Sequence, residues 1–228
     1  MNNNTGKKFA ELLKKREKLE GTRIFRMLLH LATSQYAVNR NYHELFKAME
    51  FYENNLAIWE ITKRHQLNAF LREFLRLLHN YLASVYSLIE HTRMFCKELN
   101  NVELNSEYIV KLKELQNHVC VRFVRDLRTY SQHIQLPIIS AKLSFTSGSE
   151  LKQQILLSSE ELLKWNKWHK DSKKYIESLK EIDLKAVLSE FQTLIKCFYE
   201  WLYQKVTELY RKELDEFAKN ESELSEFS

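Results

Sequence analysis

Glycine and proline are scarce in this chain of 228 residues, which contains three glycines and one proline. Tight turns and sheet corners rely on these two residues, so few of either are expected. No stretch approaches the roughly 18–20 consecutive apolar residues that a membrane-spanning helix needs. The opening MNNNTGKKFAELLKK also lacks the apolar core of a signal peptide. We therefore expect a cytoplasmic protein with no membrane association.

Motifs for metal, phosphate or nucleophile chemistry are also missing. The eight histidines form no HxxxH, HExxH or ExxH pattern, and no CxxC or GxSxG occurs. Too few glycines are present to build a phosphate-binding loop. Cys96, Cys120 and Cys197 lie far apart within apolar helical patterns, as expected of buried, reduced thiols. We expect no cofactor and no metal.

The charge is mild, with a formal net value of +5, and it permits an anionic partner without requiring one. Hydrophobic residues make up 44% and charged residues 29% of the chain, a composition typical of an ordered globular protein. The first helix is basic and the last segment is acidic. We interpret both as solvated helix faces.

Apolar residues recur every three or four positions through most of the chain, which indicates helices. The pattern predicts long helices over Gln66–Leu99 and over Leu184–Phe217, the second capped by Asp183. A third is predicted over Asn41–Lys63. A fourth should begin at Asn105 or Ser106 and continue into the segment around position 121.

The N-terminal part predicts two further helical pieces, Lys7–Leu19 and Thr22–Tyr36, broken at Gly21. Residues 139–145, ISAKLSF, alternate between apolar and polar, and LKQQILL at 151–157 can alternate too. This pattern predicts a β-hairpin, followed by a helix in SSEELLKWNKW that Ser158 or Ser159 caps.

The predicted fold class is mainly α: a long up-and-down helical bundle with one inserted β-hairpin. We expect a single domain over residues 1–228, with the hairpin insertion at about 138–158. The ends, about 1–6 and 219–228, are expected to be flexible.

The segment VRFVRDLRTYSQHIQLPI, residues 121–138, concentrates the chemistry of the chain. On a helical wheel one side is apolar and ends with Ile134, with Tyr130 at its edge. Arg122, Arg125 and His133 lie on the opposite polar stripe, with Arg128 beside it. Pro137 should end the helix close to His133.

Arginine and histidine are suited to handling phosphate. Arginine offers a planar fork of donors to an anion, and histidine exchanges a proton near neutral pH. Arg128 and His133 are therefore the candidate catalytic residues. The candidate residues for phosphate binding and support are Arg122, Arg125, Asp126 and Tyr130.

The six residues RTYSQH, Arg128 to His133, resemble the Arg-x4-His signature of the HEPN superfamily. That superfamily comprises all-helical bundles, often dimeric, many of which are metal-independent ribonucleases of toxin–antitoxin and antiviral systems. The resemblance implies that Arg128 steadies the scissile phosphate while His133 assists attack by the ribose 2′-hydroxyl. It also implies RNA, a partner protein or antitoxin, and a second copy of the chain as partners.

A second interpretation is a non-catalytic helical protein–protein interaction module. The arginine stripe would then pair with acids on a neighbouring helix or on a partner protein. The two differ in geometry, because a nuclease needs Arg128 and His133 in one cleft. The sequence leaves open whether the protein is an enzyme.

Overall fold

The computed structural model describes residues 3–56, 60, 64–144 and 152–227. These residues form nine helices and three strands, which confirms the prediction of a mainly α fold with an inserted β-hairpin. The helices are α1 Asn3–Lys18, α2 Glu20–Glu53, α3 Arg64–Leu99, α4 Val102–Asn117, α5 Val119–His133, α6 Ser159–Leu163, α7 Lys170–Glu177, α8 Leu184–Leu209 and α9 Arg211–Ser225. The strands are β1 Ile139–Ser144, β2 Lys152–Ser158 and β3 Glu181–Asp183.

Helix α2 joins two helices that the sequence predicted as separate. It runs without interruption over 34 residues, so the predicted break at Gly21 is wrong. The chain breaks instead at Leu19, whose backbone is extended. Gly21 serves helix packing: a Cβ there would overlap the carbonyl oxygen of Glu213 and lie 2.8 Å from the Cβ of Phe217 in α9. Residues 57–59 and 61–63 of the predicted third helix lie outside the described residues.

Three long helices, α2, α3 and α8, surround the main core. Helix α2 runs antiparallel to α3, because Tyr52 stacks on Phe70 while Ser34 contacts His91 farther along. The Tyr81 hydroxyl of α3 donates to Gln192 of α8 (2.9 Å). These contacts bury a continuous set of aliphatic and aromatic side chains, among them Tyr52, Tyr81 and Phe74.

Two predicted helices divide where an extended or irregular residue interrupts them. The predicted helix Leu184–Phe217 is capped by Asp183 as expected, with the Ala186 amide donating to its carboxylate (3.1 Å), but it ends before Tyr210. Helix α4 begins earlier than predicted, because Asn101 accepts a hydrogen bond from the amide of Leu104 (3.0 Å). Its continuation into the next helix fails at His118, whose ψ of 129° is extended.

The hairpin pairs β1 with β2 in antiparallel register, from Ile139 opposite Leu157 to Ser144 opposite Lys152. Strand β3 adds to the far edge of β2, which the sequence did not predict because three residues carry too little alternation. The helix after β2 is shorter than predicted, since α6 ends at Leu163. The loop predicted at TSGSE lies outside the described residues.

The charged residues at the two ends of the chain are mostly exposed, as predicted for solvated helix faces, while α1 and α9 pack against each other. Arg16 of α1 forms an ion pair with Glu221 of α9 (2.7 Å), and the Asn220 amide donates to the carbonyl of Leu12 (3.4 Å). The segment from 219 onward, expected to be flexible, is helical as far as Ser225. Across the described ranges, no helix has the length and apolar character to cross a membrane.

Candidate binding site

Helix α5 holds all six candidate residues, and its buried face differs in part from the helical wheel. Val121 and Ser131 are buried, whereas Ile134, predicted on the buried side, is 53% exposed. Tyr130, predicted at the edge, is only 2% exposed. The buried face of α5 therefore includes Val121, Tyr130 and Ser131 but not Ile134. Helices α3, α7 and α8 together cover this face.

Arg122 is held by structural contacts. Its Nε donates to the carbonyl of Gln116 (2.6 Å), and its Nη2 donates to the side chain of Asn117 (3.0 Å). The same guanidinium forms an ion pair with Asp171 of α7. Arg122 thus ties the end of α4 and the start of α7 to α5.

Asp126 and Tyr130 are also occupied within the fold. The carboxylate of Asp126 accepts a hydrogen bond from the backbone amide of His169 (2.9 Å), just before α7. Tyr130 packs on Trp165 and Trp168, and its hydroxyl accepts from Gln135 (2.7 Å). The two tryptophans lie after α6 rather than on a helix, yet they still contact each other at 4.8 Å between ring centroids.

Unlike the three candidate residues described above, Arg128 and Arg125 line a cavity. The guanidinium carbon of Arg128 lies 3.7 Å from the centroid of the Tyr86 ring in α3. Its Nε is buried and has no hydrogen-bond partner among the described residues. A buried donor without a partner costs about 1–3 kcal/mol, so this group favours an acceptor supplied from outside the chain. Arg125, one turn earlier, is exposed.

His133 lies apart from that cavity. Helix α5 stays helical through His133, so Arg128 and His133 differ by about 140° around the axis and about 7.5 Å along it. His133 is exposed and is not among the described residues that line the cavity. Pro137 follows only after the helix has ended, and thus does not bend the two side chains together. Within the single chain, Arg128 therefore lines the same cavity as Arg125, and His133 does not line it.

The cavity has a volume of about 230 Å³ and lies between α3, α4, α5 and α8. Tyr86 and Arg125 are its exposed lining residues, and they mark the side that opens to solvent. The remaining wall is mostly aliphatic and aromatic. The lining residues are Leu82, Val85, Tyr86, Ile89, Glu90, Thr92, Tyr108, Leu112, Leu115, Gln116, Val121, Val124, Arg125, Arg128, Thr129, Phe191, Ile195, Phe198 and Tyr199.

Polar groups in the buried wall of the cavity bond to one another. The Thr92 hydroxyl donates to the carbonyl of Leu88 (2.7 Å) and shares a second hydrogen bond with the Tyr199 hydroxyl (2.7 Å). Burial raises the pKa of Tyr199 well above its ordinary value and that of Tyr108 to about 12, so both phenols are neutral near pH 7. Glu90, the one carboxylate in the lining, pairs with Arg93 (2.6 Å).

A second, more open groove lies between α2 and α3. There the Ser34 hydroxyl lies 2.7 Å from Nδ1 of His91 and 3.1 Å from the carbonyl of His30. In the described part of the chain, no carboxylate bonds to His91, so nothing orients the imidazole as a general base for serine. The described residues also contain no group of three or more His, Cys, Asp or Glu side chains that could hold a metal ion.

Sequence reasoning missed this cavity, although it singled out two of its residues. Arg125 and Arg128 were found because of their charge, whereas the apolar walls follow the ordinary core pattern of their helices and nothing in the sequence singled out Tyr86. A cavity arises from how helices meet, and periodicity within one helix carries no signal for it.

Comparison with known proteins gives no match: no family model, no curated protein and no solved structure matches the chain. The resemblance of Arg128–His133 to the HEPN signature therefore stays a prediction. The case for function depends on the geometry of the site.

Proposed function

We propose that this chain is a non-catalytic binding protein that holds a small molecule in the cavity between α3, α4, α5 and α8. The observation that carries the proposal is the cavity itself, about 230 Å³ in volume, with apolar walls that are buried on α3, α5 and α8 and half-buried on α4. Concave apolar sites with a few polar groups at one side are the usual form of small-molecule sites.

The lining supports binding rather than catalysis. Among the described residues that line the cavity, none is histidine, cysteine, serine or aspartate. Glu90 is paired with Arg93, and the Thr92 hydroxyl is bonded to Leu88 and Tyr199. Acid–base catalysis near neutral pH needs a titratable group that is free to exchange a proton with the ligand. The cavity residues supply contact surface and positive charge instead.

A test of this function uses the neutral fluorescent probe 1-aminonaphthalene. We expect saturable binding to the wild-type protein, and at least a tenfold weaker affinity in Leu112→Trp, which fills the cavity from α4. Val110→Trp on the same helix is the matched control, because Val110 is 55% exposed and does not line the cavity. Circular dichroism of both variants establishes that they fold. Equal affinity in both variants, or no saturable binding to the wild type, contradicts the proposal.

The second candidate is the HEPN-like, RNA-directed protein of the sequence prediction, with Arg128 and His133 as catalytic residues. Two features favour it: Arg125 and His133 are exposed, and neither forms an ion pair within the described residues. A second copy of the chain would have to complete the site, because α5 alone keeps Arg128 and His133 apart.

Expression of the wild type beside Arg128→Ala and His133→Ala separates the two candidates. A nuclease should cause growth arrest and RNA fragmentation that both substitutions abolish. A cavity-binding protein should cause neither effect, and its affinity for the neutral probe should be unchanged by His133→Ala. Dependence on His133 is thus the readout that the two functions do not share.

A further inference from the structure

The charge of the cavity lining limits the charge of its ligand. Its described charged residues are Arg125, Arg128 and Glu90, which leave one net positive charge. Glu90 also pairs with Arg93 outside the cavity, so Arg125 and Arg128 are the charged groups that a ligand would meet. An anionic ligand complements these two guanidinium groups, whereas a cationic ligand would be repelled by both.

Arg128 is positioned to bind the negatively charged group of the ligand. The guanidinium lies over the Tyr86 ring, with the guanidinium carbon 3.7 Å from the ring centroid. An arginine that contacts an aromatic ring in this way can still donate hydrogen bonds from its N–H groups. Its Nε is buried without a partner in the described structure. A carboxylate that accepts from Nε and Nη would satisfy the donor and form the bidentate pair that arginine prefers.

The walls suit an apolar body attached to this carboxylate. Val85, Val124 and Phe191 are buried lining residues. Thr92 and Tyr199 already bond to each other, so the buried part of the cavity offers few free hydrogen-bonding groups to a polar ligand. An alkyl or aryl group there would be removed from water while the carboxylate stays near the exposed Arg125.

The volume sets the size of the ligand. An apolar cavity of about 150 Å³ holds benzene, so a cavity half as large again holds roughly nine to twelve non-hydrogen atoms. The 230 Å³ observed is smaller than the usual range for drug-sized ligands. Medium-chain acyl groups and short arylalkyl groups fall within this size.

We propose, resting on the proposed function, that the ligand is a medium-chain monocarboxylate whose carboxylate is bound by Arg128 and Arg125 and whose apolar body fills the cavity. The site is amphipathic: α5 supplies the cations, Tyr86 of α3 fixes one of them, and α3, α4, α5 and α8 supply the walls. Octanoate is the probe that matches both the charge and the volume.

The experiment compares octanoate with 1-octanol and with octyl phosphate by isothermal titration calorimetry on the full chain. Wild type should bind octanoate at least tenfold more tightly than 1-octanol, and more tightly than octyl phosphate. Arg128→Gln should lower octanoate affinity at least tenfold and leave 1-octanol affinity within twofold. Arg76→Gln is the matched control, because Arg76 is an exposed α3 residue paired with Glu73 outside the cavity.

Arg125→Gln keeps the test valid if Arg128→Gln does not fold, because Arg125 is exposed. This substitution should weaken octanoate binding about threefold or more. Added salt should reduce the difference in octanoate affinity between Arg125→Gln and the wild type, because it screens the charge of exposed Arg125. Equal affinity for octanoate and 1-octanol overturns the carboxylate proposal but leaves the binding cavity in place. Tighter binding of octyl phosphate overturns the choice of a monoanion. If neither these ligands nor 1-aminonaphthalene bind, the proposed function fails as well.

Discussion

The guanidinium of Arg128 in α5 stacks on the ring of Tyr86 in α3, with 3.7 Å between the guanidinium carbon and the ring centroid. This contact joins two residues that lie more than forty positions apart in the sequence. It holds the arginine beside an apolar cavity and leaves its Nε without a partner in the described residues. A residue that the sequence suggests for RNA cleavage therefore lies at the centre of the binding site that we propose.

Tyr86 should position Arg128 for its ligand. Tyr86→Leu removes the aromatic face, and a cation–π contact of about 0.5–1 kcal/mol corresponds to an about two- to fivefold loss of octanoate affinity. Tyr86→Phe keeps the ring and is the matched control, with affinity close to wild type. Calorimetric titration measures both. A loss in Tyr86→Phe equal to that in Tyr86→Leu would assign the effect to the hydroxyl.

Gly21 should be needed for α9 to pack on α2. Gly21→Ala places a methyl group against the Glu213 carbonyl and Phe217, so we expect a loss of stability of about 1–3 kcal/mol from overpacking. Gly6→Ala in α1 is the control, because no atom lies within 4 Å of its added Cβ. It should be neutral or stabilising by up to about 1 kcal/mol through helix propensity. Chemical denaturation measures both, and equal effects would contradict the close approach of α9.

The Arg122–Asp171 ion pair should stabilise the packing of α7 on α5. Both side chains are about three-quarters buried, at 28% and 25% exposure. A double-mutant cycle with Arg122→Gln and Asp171→Asn should give a coupling free energy of about 1 kcal/mol. The exposed pair Lys111–Glu114 is the control, where about 0.2–0.5 kcal/mol is expected.

A coupling free energy near zero between Arg122 and Asp171, together with weaker RNA binding in Arg122→Gln, would support the predicted phosphate-binding role of Arg122. Unchanged RNA binding with clear coupling would establish a structural role. The cycle therefore decides between the sequence interpretation of Arg122 and the contacts that the fold gives it.

The three cysteines should react at different rates. Cys96 and Cys120 are buried as predicted, and burial raises the pKa of both to about 12. The prediction is wrong for Cys197, which is exposed on α8. Since the thiolate is the reactive form, a raised pKa leaves almost none of it in the two buried residues at pH 8. A disulfide reagent should label one thiol per native chain quickly and all three after unfolding.

The pH dependence of labelling separates the two kinds of thiol. Reaction at Cys96 and Cys120 should keep rising about tenfold per pH unit toward pH 12, as deprotonation of the folded state requires. Cys197 should react faster than either buried thiol at pH 8, because it is exposed. Rapid labelling of all three cysteines in the folded protein at pH 8 would contradict the burial of Cys96 and Cys120.

The sequence predicted the fold class because helix and strand formation depend largely on near neighbours. Apolar spacing located α3 and α8, alternation located β1 and β2, and Asp183 was recognised as a cap from its type and position. Gly21 was misread for the same reason. Locally glycine weakens a helix, while its role in α2 depends on Glu213, almost two hundred positions away.

The candidate site was also predicted in part. The residue types of one short segment identified α5 and its arginines as candidates, and the helical wheel placed most of the apolar face of α5 correctly. Bringing Arg128 and His133 together requires either a helix end between them or a second subunit, and α5 is helical as far as His133. The contacts of Arg122, Asp126 and Tyr130 come from α4, α7 and the segment between α6 and α7, whose positions no local pattern specifies.

The sequence by itself determined a mainly helical chain, the hairpin, and a helix on which positive charge is concentrated. Only the tertiary structure decided what that charge faces, because side chains from α3, α4 and α8 must meet α5 before a cavity exists. Secondary structure is set by periodicity along one segment, whereas a binding site is set by the packing of segments that are distant in sequence.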